Sequence, residues 1–326
     1  MANGWCARCW IACRCLERTM SSRDIQSMSD GLKPTLAELI ALRKRVRGWP
    51  PARLGTASVS GPALSPFRGR GMEYAESRPY APGDDARHID WRVTARSGRM
   101  HTKLFQAERE RITLLVVDTA PALYFGTRVR FKAVQASRAG AIAAWAAQRS
   151  GDRIGALRGS LRDPPLAPLG GRRGVLRVLD ALVRWYSQPP DDDLGLDYAL
   201  LSAARLLRPG ARIVVLADSG SVEAITQGRL AALAAHHDLL VLLQVDALEL
   251  EPPRDLLPFA LDGERIELDL ARPAAQAAWQ RQFGTRIEAQ SQRLHALGAR
   301  VRTLRTDDAI EHLLTALLPN AREVAA

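Results

Sequence analysis

Lysine is nearly missing from this chain. Of its 46 basic residues only Lys33, Lys44, Lys103 and Lys132 are lysines, against 35 acids, so arginine carries the formal charge of +11. The arginines are spread along a chain rich in alanine, and no run of five or six like charges occurs. Dispersed positive charge is a weak electrostatic footprint for nucleic acid. Nucleic-acid binding is therefore not expected, and an acidic partner protein fits the charge at least as well.

Cysteine is absent after position 15. Cys6, Cys9, Cys13 and Cys15 are close enough for their thiolates to meet on one soft metal. The stretch Met1 to Met28 has no apolar periodicity, however, and reads as a disordered leader or an over-extended start, residues 1–28. It also lacks the 7–15-residue apolar core of a secretory signal. Without cysteines in the body no disulfide stabilises it, which suits the cytoplasm, the expected location. Long apolar runs are missing too: Leu239 to Val245 is the longest candidate, far short of the ~18–20 residues of a membrane span. With 47% hydrophobic and 25% charged residues the chain is not disordered throughout. Its 326 residues predict two domains, or one large domain with an attachment.

Thr35 and Glu38 form a capping-box pair ahead of apolar Leu36, Leu39, Ile40 and Val46, which predicts a helix over Leu36–Arg47. Gly48, Pro50 and Pro51 end it. Two extended segments, Met72–Arg78 and His101–Ala107, flank a polar stretch with a Pro82-Gly83 turn. There Asp84 or Asp85 can cap a helical turn on which Arg87 and Asp90 share a face and pair. From residue 111 strands and helices alternate. Strands are expected at Ile112–Val117, Arg153–Arg158, Ile213–Ala217, Leu239–Val245 and Arg300–Leu304, with Arg265–Leu268 as an edge strand. Helices are expected around Phe131 to Trp145, then at Val175–Tyr186, Leu194–Leu207, Val222–His236, Pro273–Leu297 and Asp308–Leu318. This alternation predicts a doubly wound, mostly parallel α/β sheet covered on both faces. The expected organisation is thus a leader, an N-terminal helix and arm over 29–110, and an α/β domain over 111–320.

Ligands of open α/β sheets bind outside the carboxyl ends of the strands. Three predicted strands end in acids there: Asp118, Asp218 and Asp246. Gathered carboxylates suit a hard divalent cation, but strand-end aspartates also cap the helices that follow them.

The ordered stretch Gly69-Arg70-Gly71-Met72-Glu73-Tyr74, Arg78-Pro79-Tyr80-Ala81-Pro82-Gly83-Asp84-Asp85, Arg87-His88-Ile89-Asp90-Trp91-Arg92, Ala95-Arg96 and Glu108-Arg109-Glu110 closely resembles the bacterial family called domain of unknown function 58. The resemblance runs from about Ser29 to the C-terminus and is to the family's shorter form without transmembrane helices. It implies a von Willebrand factor type A-like domain from Ile112. It also implies an accessory protein acting with a MoxR-type AAA+ ATPase, with no established catalysis.

Type A domains carry a metal-ion-dependent adhesion site that opens Asp-x-Ser-x-Ser. This chain reads Asp118-Thr119-Ala120-Pro121-Ala122, with Leu196 where a later threonine belongs and Asp218 matching the last aspartate. Two carboxylates without the hydroxyls hold Mg²⁺ weakly at best, so no tightly bound cofactor is expected.

The signature residues Gly71, Glu73, Arg78, Tyr80, Pro82, Gly83, Asp84, Asp85, Arg87, Asp90, Trp91 and Arg96 are expected to be structural or to dock a partner. In the structural reading Asp84 caps, Arg87 pairs with Asp90, and Trp91 anchors the segment, so that Trp91→Ala costs ~3–5 kcal/mol. The alternative is a metal-dependent hydrolase or nuclease using Asp84, Asp85, Asp90, Asp118 and Asp218, with His88 nearby for acid–base work.

Overall fold

The structure, a computed structural model, describes residues 31–48, 72–107, 111–261 and 264–317. The chain divides into two compact units. Residues 72–107 are the described part of the smaller unit, and the other described residues belong to the larger.

In chain order, α1 (Leu36–Gly48) belongs to the larger unit. The smaller unit follows with β1 (Met72–Pro79), α2 (Trp91–Ser97) and β2 (His101–Ala107). The larger unit resumes with β3 (Ile112–Val117), α3 (Lys132–Arg149), β4 (Arg153–Arg158), β5 (Leu166–Leu169), α4 (Gly171–Tyr186) and α5 (Gly195–Leu206). Next come β6 (Arg212–Ala217), α6 (Ser219–Glu223), α7 (Gln227–His236), β7 (Asp238–Val245) and α8 (Ala247–Leu250). The chain continues through β8 (Leu256–Leu261), β9 (Glu264–Asp269), α9 (Pro273–Gln282), α10 (Gly284–Ala296), β10 (Arg300–Arg305) and α11 (Ile310–Leu317).

Six strands form the main sheet in the order β10-β7-β6-β3-β4-β5. All are parallel except β5, which runs antiparallel to β4. The period-2 alternation of the strands splits the core in two. Leu115, Val117, Val214, Leu216, Leu240 and Leu242 face one layer, and Leu114, Val116, Ile213, Val215, Val241 and Leu243 face the other. This is the doubly wound α/β architecture that the alternation of elements predicts.

Three local expectations are corrected. The Val222–His236 helix is two, α6 and α7; the guanidinium of Arg293 takes up carbonyls freed at the break, donating to Ile225 O at 2.6 Å. The Pro273–Leu297 helix breaks at Phe283, whose ring packs 4.5 Å from that of Trp279. Arg265–Leu268 does not edge the main sheet: β9 pairs with β8 as a separate two-stranded sheet. The main sheet's true antiparallel edge is β5, which has too little apolar alternation to announce itself.

The helix α1, grouped by sequence with the arm, packs into the larger unit. Leu39, Leu42 and Val46 are buried in its core, Trp145 Nε1 donates to Leu39 O at 3.0 Å, and Arg149 donates to Val46 O at 2.7 Å. Only half of its capping box forms, because the Glu38 amide donates to Thr35 Oγ1 at 3.3 Å while the Glu38 carboxylate pairs with Arg138.

Candidate functional site

The connections from β3 and from β6 leave in opposite directions across the sheet, so the crevice between those strands is its topological switch point. Asp118 follows β3 and Asp218 follows β6, one on each side of it. The Asp118 amide extends the ladder to Leu216 O at 2.9 Å, and its carboxylate accepts from the amides of Asp218 at 3.1 Å and Ala120 at 3.0 Å. Asp118 is buried, and desolvation pushes its carboxyl from 3.8 up to about 6, against hydrogen bonds from Ser221 and these amides.

Asp218 caps α6 by accepting from Gly220 N at 2.8 Å, and its other oxygen takes Lys132 Nζ at 2.7 Å. Lys132, the first residue of α3, is 1% exposed and also donates to Glu249 at 2.8 Å. Burial would pull the Lys132 pKa down, but the charges of Asp218 and Glu249 outweigh it and hold the ammonium above its ordinary value. Glu249 titrates above the usual carboxylate range because desolvation outweighs the attraction of Lys132.

Asp246, after β7, is fully buried and saturated. Its carboxylate accepts from Thr127 N and Oγ1, from Leu248 N and from Thr306 Oγ1, while its own amide donates to Glu249 at 2.7 Å. It pins three segments and forms a full capping box with Glu249.

The residues here offer few free oxygen donors to a divalent cation. Both oxygens of Asp118 and of Asp218 already accept from the protein, Ala120 and Ala122 have no hydroxyl to give, and Leu196 is a core side chain. Among the described residues no three His, Cys, Asp or Glu side chains converge as a metal-binding group. The positive charge beside Asp218 comes from the chain itself. Sequence reasoning missed Lys132, although a signal was there: one of only four lysines opens the helix after the first sheet strand. Asp246-x-x-Glu249 was likewise legible as a capping box.

In the smaller unit β1 and β2 pair antiparallel from Met72 opposite Ala107 to Pro79 opposite His101, with Glu73 opposite Gln106. Pro82 and Gly83 make the expected turn: the Asp84 amide donates to Ala81 O at 3.0 Å, and Gly83 has φ 107°. Asp85, not Asp84, caps the 3₁₀ turn Ala86–His88, accepting from Arg87 N at 3.0 Å. Asp84 instead fastens the turn to both strands, through Ala81 N at 2.9 Å, the Arg78 guanidinium at 2.6 Å and Thr102 Oγ1 at 3.4 Å. The amide of Ala81 and the Arg78 charge hold its carboxyl below the usual range. Tyr80 N donates to Met100 O across the strand ends.

Asp90 caps α2, accepting from Arg92 N at 3.1 Å and Val93 N at 3.2 Å, and takes Ser77 Oγ at 2.8 Å, which with Val93 lowers its pKa. The expected Arg87–Asp90 pair is therefore absent: the cap orients Asp90 inward and Arg87 is exposed. Trp91 is no anchor either. It is 69% exposed at the first position of α2, and the buried apolar residue of the segment is Ile89. Arg96 is exposed and His88 half-buried. Gly71, Glu108, Arg109, Glu110 and the four cysteines lie outside the described residues.

The family described as "Protein of unknown function DUF58" matches residues 76–290. The uncharacterised proteins Mb1516 of Mycobacterium bovis and Rv1480 of Mycobacterium tuberculosis are each 32% identical over 197 residues, 60% of this chain and 62% of theirs. The chain thus matches about three-fifths of the length of these relatives. A crystal structure of an aerotolerance-related membrane protein from Bacteroides fragilis, with multiple mutations to serines, aligns at 16% identity and a TM-score of 0.36 over 66% of this chain and 98% of that one.

Proposed function

The chain belongs to the DUF58 family, and we propose that it is a non-catalytic interaction protein whose strand-end site works without a metal. The carrying observation is the Lys132 ammonium, bonded to Asp218 and Glu249 where carboxylates would otherwise need an external cation. Asp118 and Asp246 are bonded to backbone amides and hydroxyls in the same way. In the arm the carboxylates of Asp84, Asp85 and Asp90 fasten strands and cap turns. Groups held this way brace loops and are poorly placed to activate water, which weighs against the hydrolase reading.

The partner in this proposal is a MoxR-type AAA+ ATPase, on the resemblance described above, with the encounter in the cytoplasm. Among the described residues no helix is long and apolar enough to cross a membrane. The test is recovery of the tagged full chain from its native host, with and without a chelator. Co-purification of an AAA+ ATPase that survives chelation is expected. Loss of that complex on chelation, or a hydrolytic activity abolished by Asp118→Ala, would overturn the proposal.

A further inference from the structure

We propose that the arm segment that carries exposed Arg87, Trp91, Arg92, Arg96, Arg99 and Met100 docks an acidic segment of a partner protein. The local fold leaves these six side chains exposed. Asp90, the one acid in residues 86–100, is engaged by Ser77 and the α2 cap, and Asp85 is engaged by the Arg87 amide, so four arginines face these two acids across residues 85–100. All four are exposed, and among the described residues none has an ion-pair partner. Arg92 and Arg96 lie one helical turn apart, and Trp91 and Ala95 form the adjoining stripe.

The same segment exposes two large apolar side chains, Trp91 at 69% and Met100 at 50%. A tryptophan has about 150–250 Å² to bury, and this one buries little of it within the chain. Trp, Arg and Met are the residues enriched at the centres of protein interfaces. Arginine forks also match carboxylates bidentately, so a strand or helix carrying Asp and Glu around an apolar residue would satisfy both features. Single-stranded nucleic acid fits less well, because Trp91 is the one Phe, Tyr or Trp in residues 86–100 and successive bases need successive aromatic platforms.

The inference deepens the interaction role proposed above and rests on it for the existence of a protein partner. The test replaces the side chain by a photo-cross-linker, Trp91→p-benzoylphenylalanine, in the full chain in its native host. Cross-linked peptides of a second protein, rich in Asp and Glu, are expected. A cross-link to this chain's own residues or to nucleic acid, or none while the partner still co-purifies, would overturn the surface and leave the interaction role standing. In vitro the probe is a fluorescein-labelled peptide of Glu residues around a central Leu-Phe pair. Its affinity should fall about tenfold or more in Trp91→Ala and in the Arg92→Glu/Arg96→Glu pair, and stay unchanged when Arg172 and Arg173 on α4 are reversed. Equal loss in the α4 control, or no binding by the parent chain, would overturn it.

Discussion

Lys132 shows what one residue decides at the sheet's carboxyl end. Its ammonium pairs with both buried Asp218 and Glu249, so Lys132→Met leaves two carboxylates desolvated without their shared cation. A loss of about 3–5 kcal/mol is expected in urea denaturation. Asp118 acts in the opposite sense. Its carboxyl titrates near 6 folded and near 3.8 unfolded, so the folded chain binds that proton more tightly. The stabilisation from this proton is complete below about pH 4 and lost as pH rises through 6, a swing of up to about 3 kcal/mol. Denaturation across pH 4–7 should show a swing in the parent that is missing in Asp118→Asn. Equal pH profiles would mean that Asp118 is not desolvated as described.

Elements, rather than residues, settle how the arm and α1 are held. Because α2 presents Trp91 outward, Trp91→Ala should change stability by no more than about 0.5 kcal/mol, not the 3–5 of a buried anchor. Leu39→Ala should cost about 2–5 kcal/mol, because α1 is stitched to α3 and leaves a cavity when truncated. Acid acts on the arm with the opposite sign to its effect at Asp118. The carboxyls of Asp84 and Asp90 titrate below their ordinary value, so their support is present at neutral pH and fades as pH falls through those lowered values. Amide exchange at Ala81 and Val93, which donate to these carboxylates, should therefore show loss of protection in acid ahead of the β3–β6 ladder, and simultaneous loss would contradict this.

At the scale of the whole molecule, a built-in cation predicts indifference to added ones. Mg²⁺ or Mn²⁺ at ~1 mM should leave the Tm unchanged, since a millimolar or weaker Kd adds almost nothing through RT ln(1 + [L]/Kd). A clear rise that Asp118→Ala abolishes would restore the metal reading. The periodic part of this fold was legible because burial imposes it on the sequence: the apolar cores of the central parallel strands, the alternation of the edge strand β10, the helices between them, and the Pro82-Gly83 turn. The missing hydroxyls at Ala120 and Ala122 were legible as well, since an absent group needs no coordinates. What the one-dimensional pattern could not carry were contacts between distant segments. Lys132 meets Asp218 and Glu249, 86 and 117 positions away, and Asp246 meets Thr127 and Thr306. The direction of Trp91 was decided the same way. Sequence fixes which residues stand one turn apart, but only the cap of Asp90 on α2 and its bond to Ser77 determine which face turns inward.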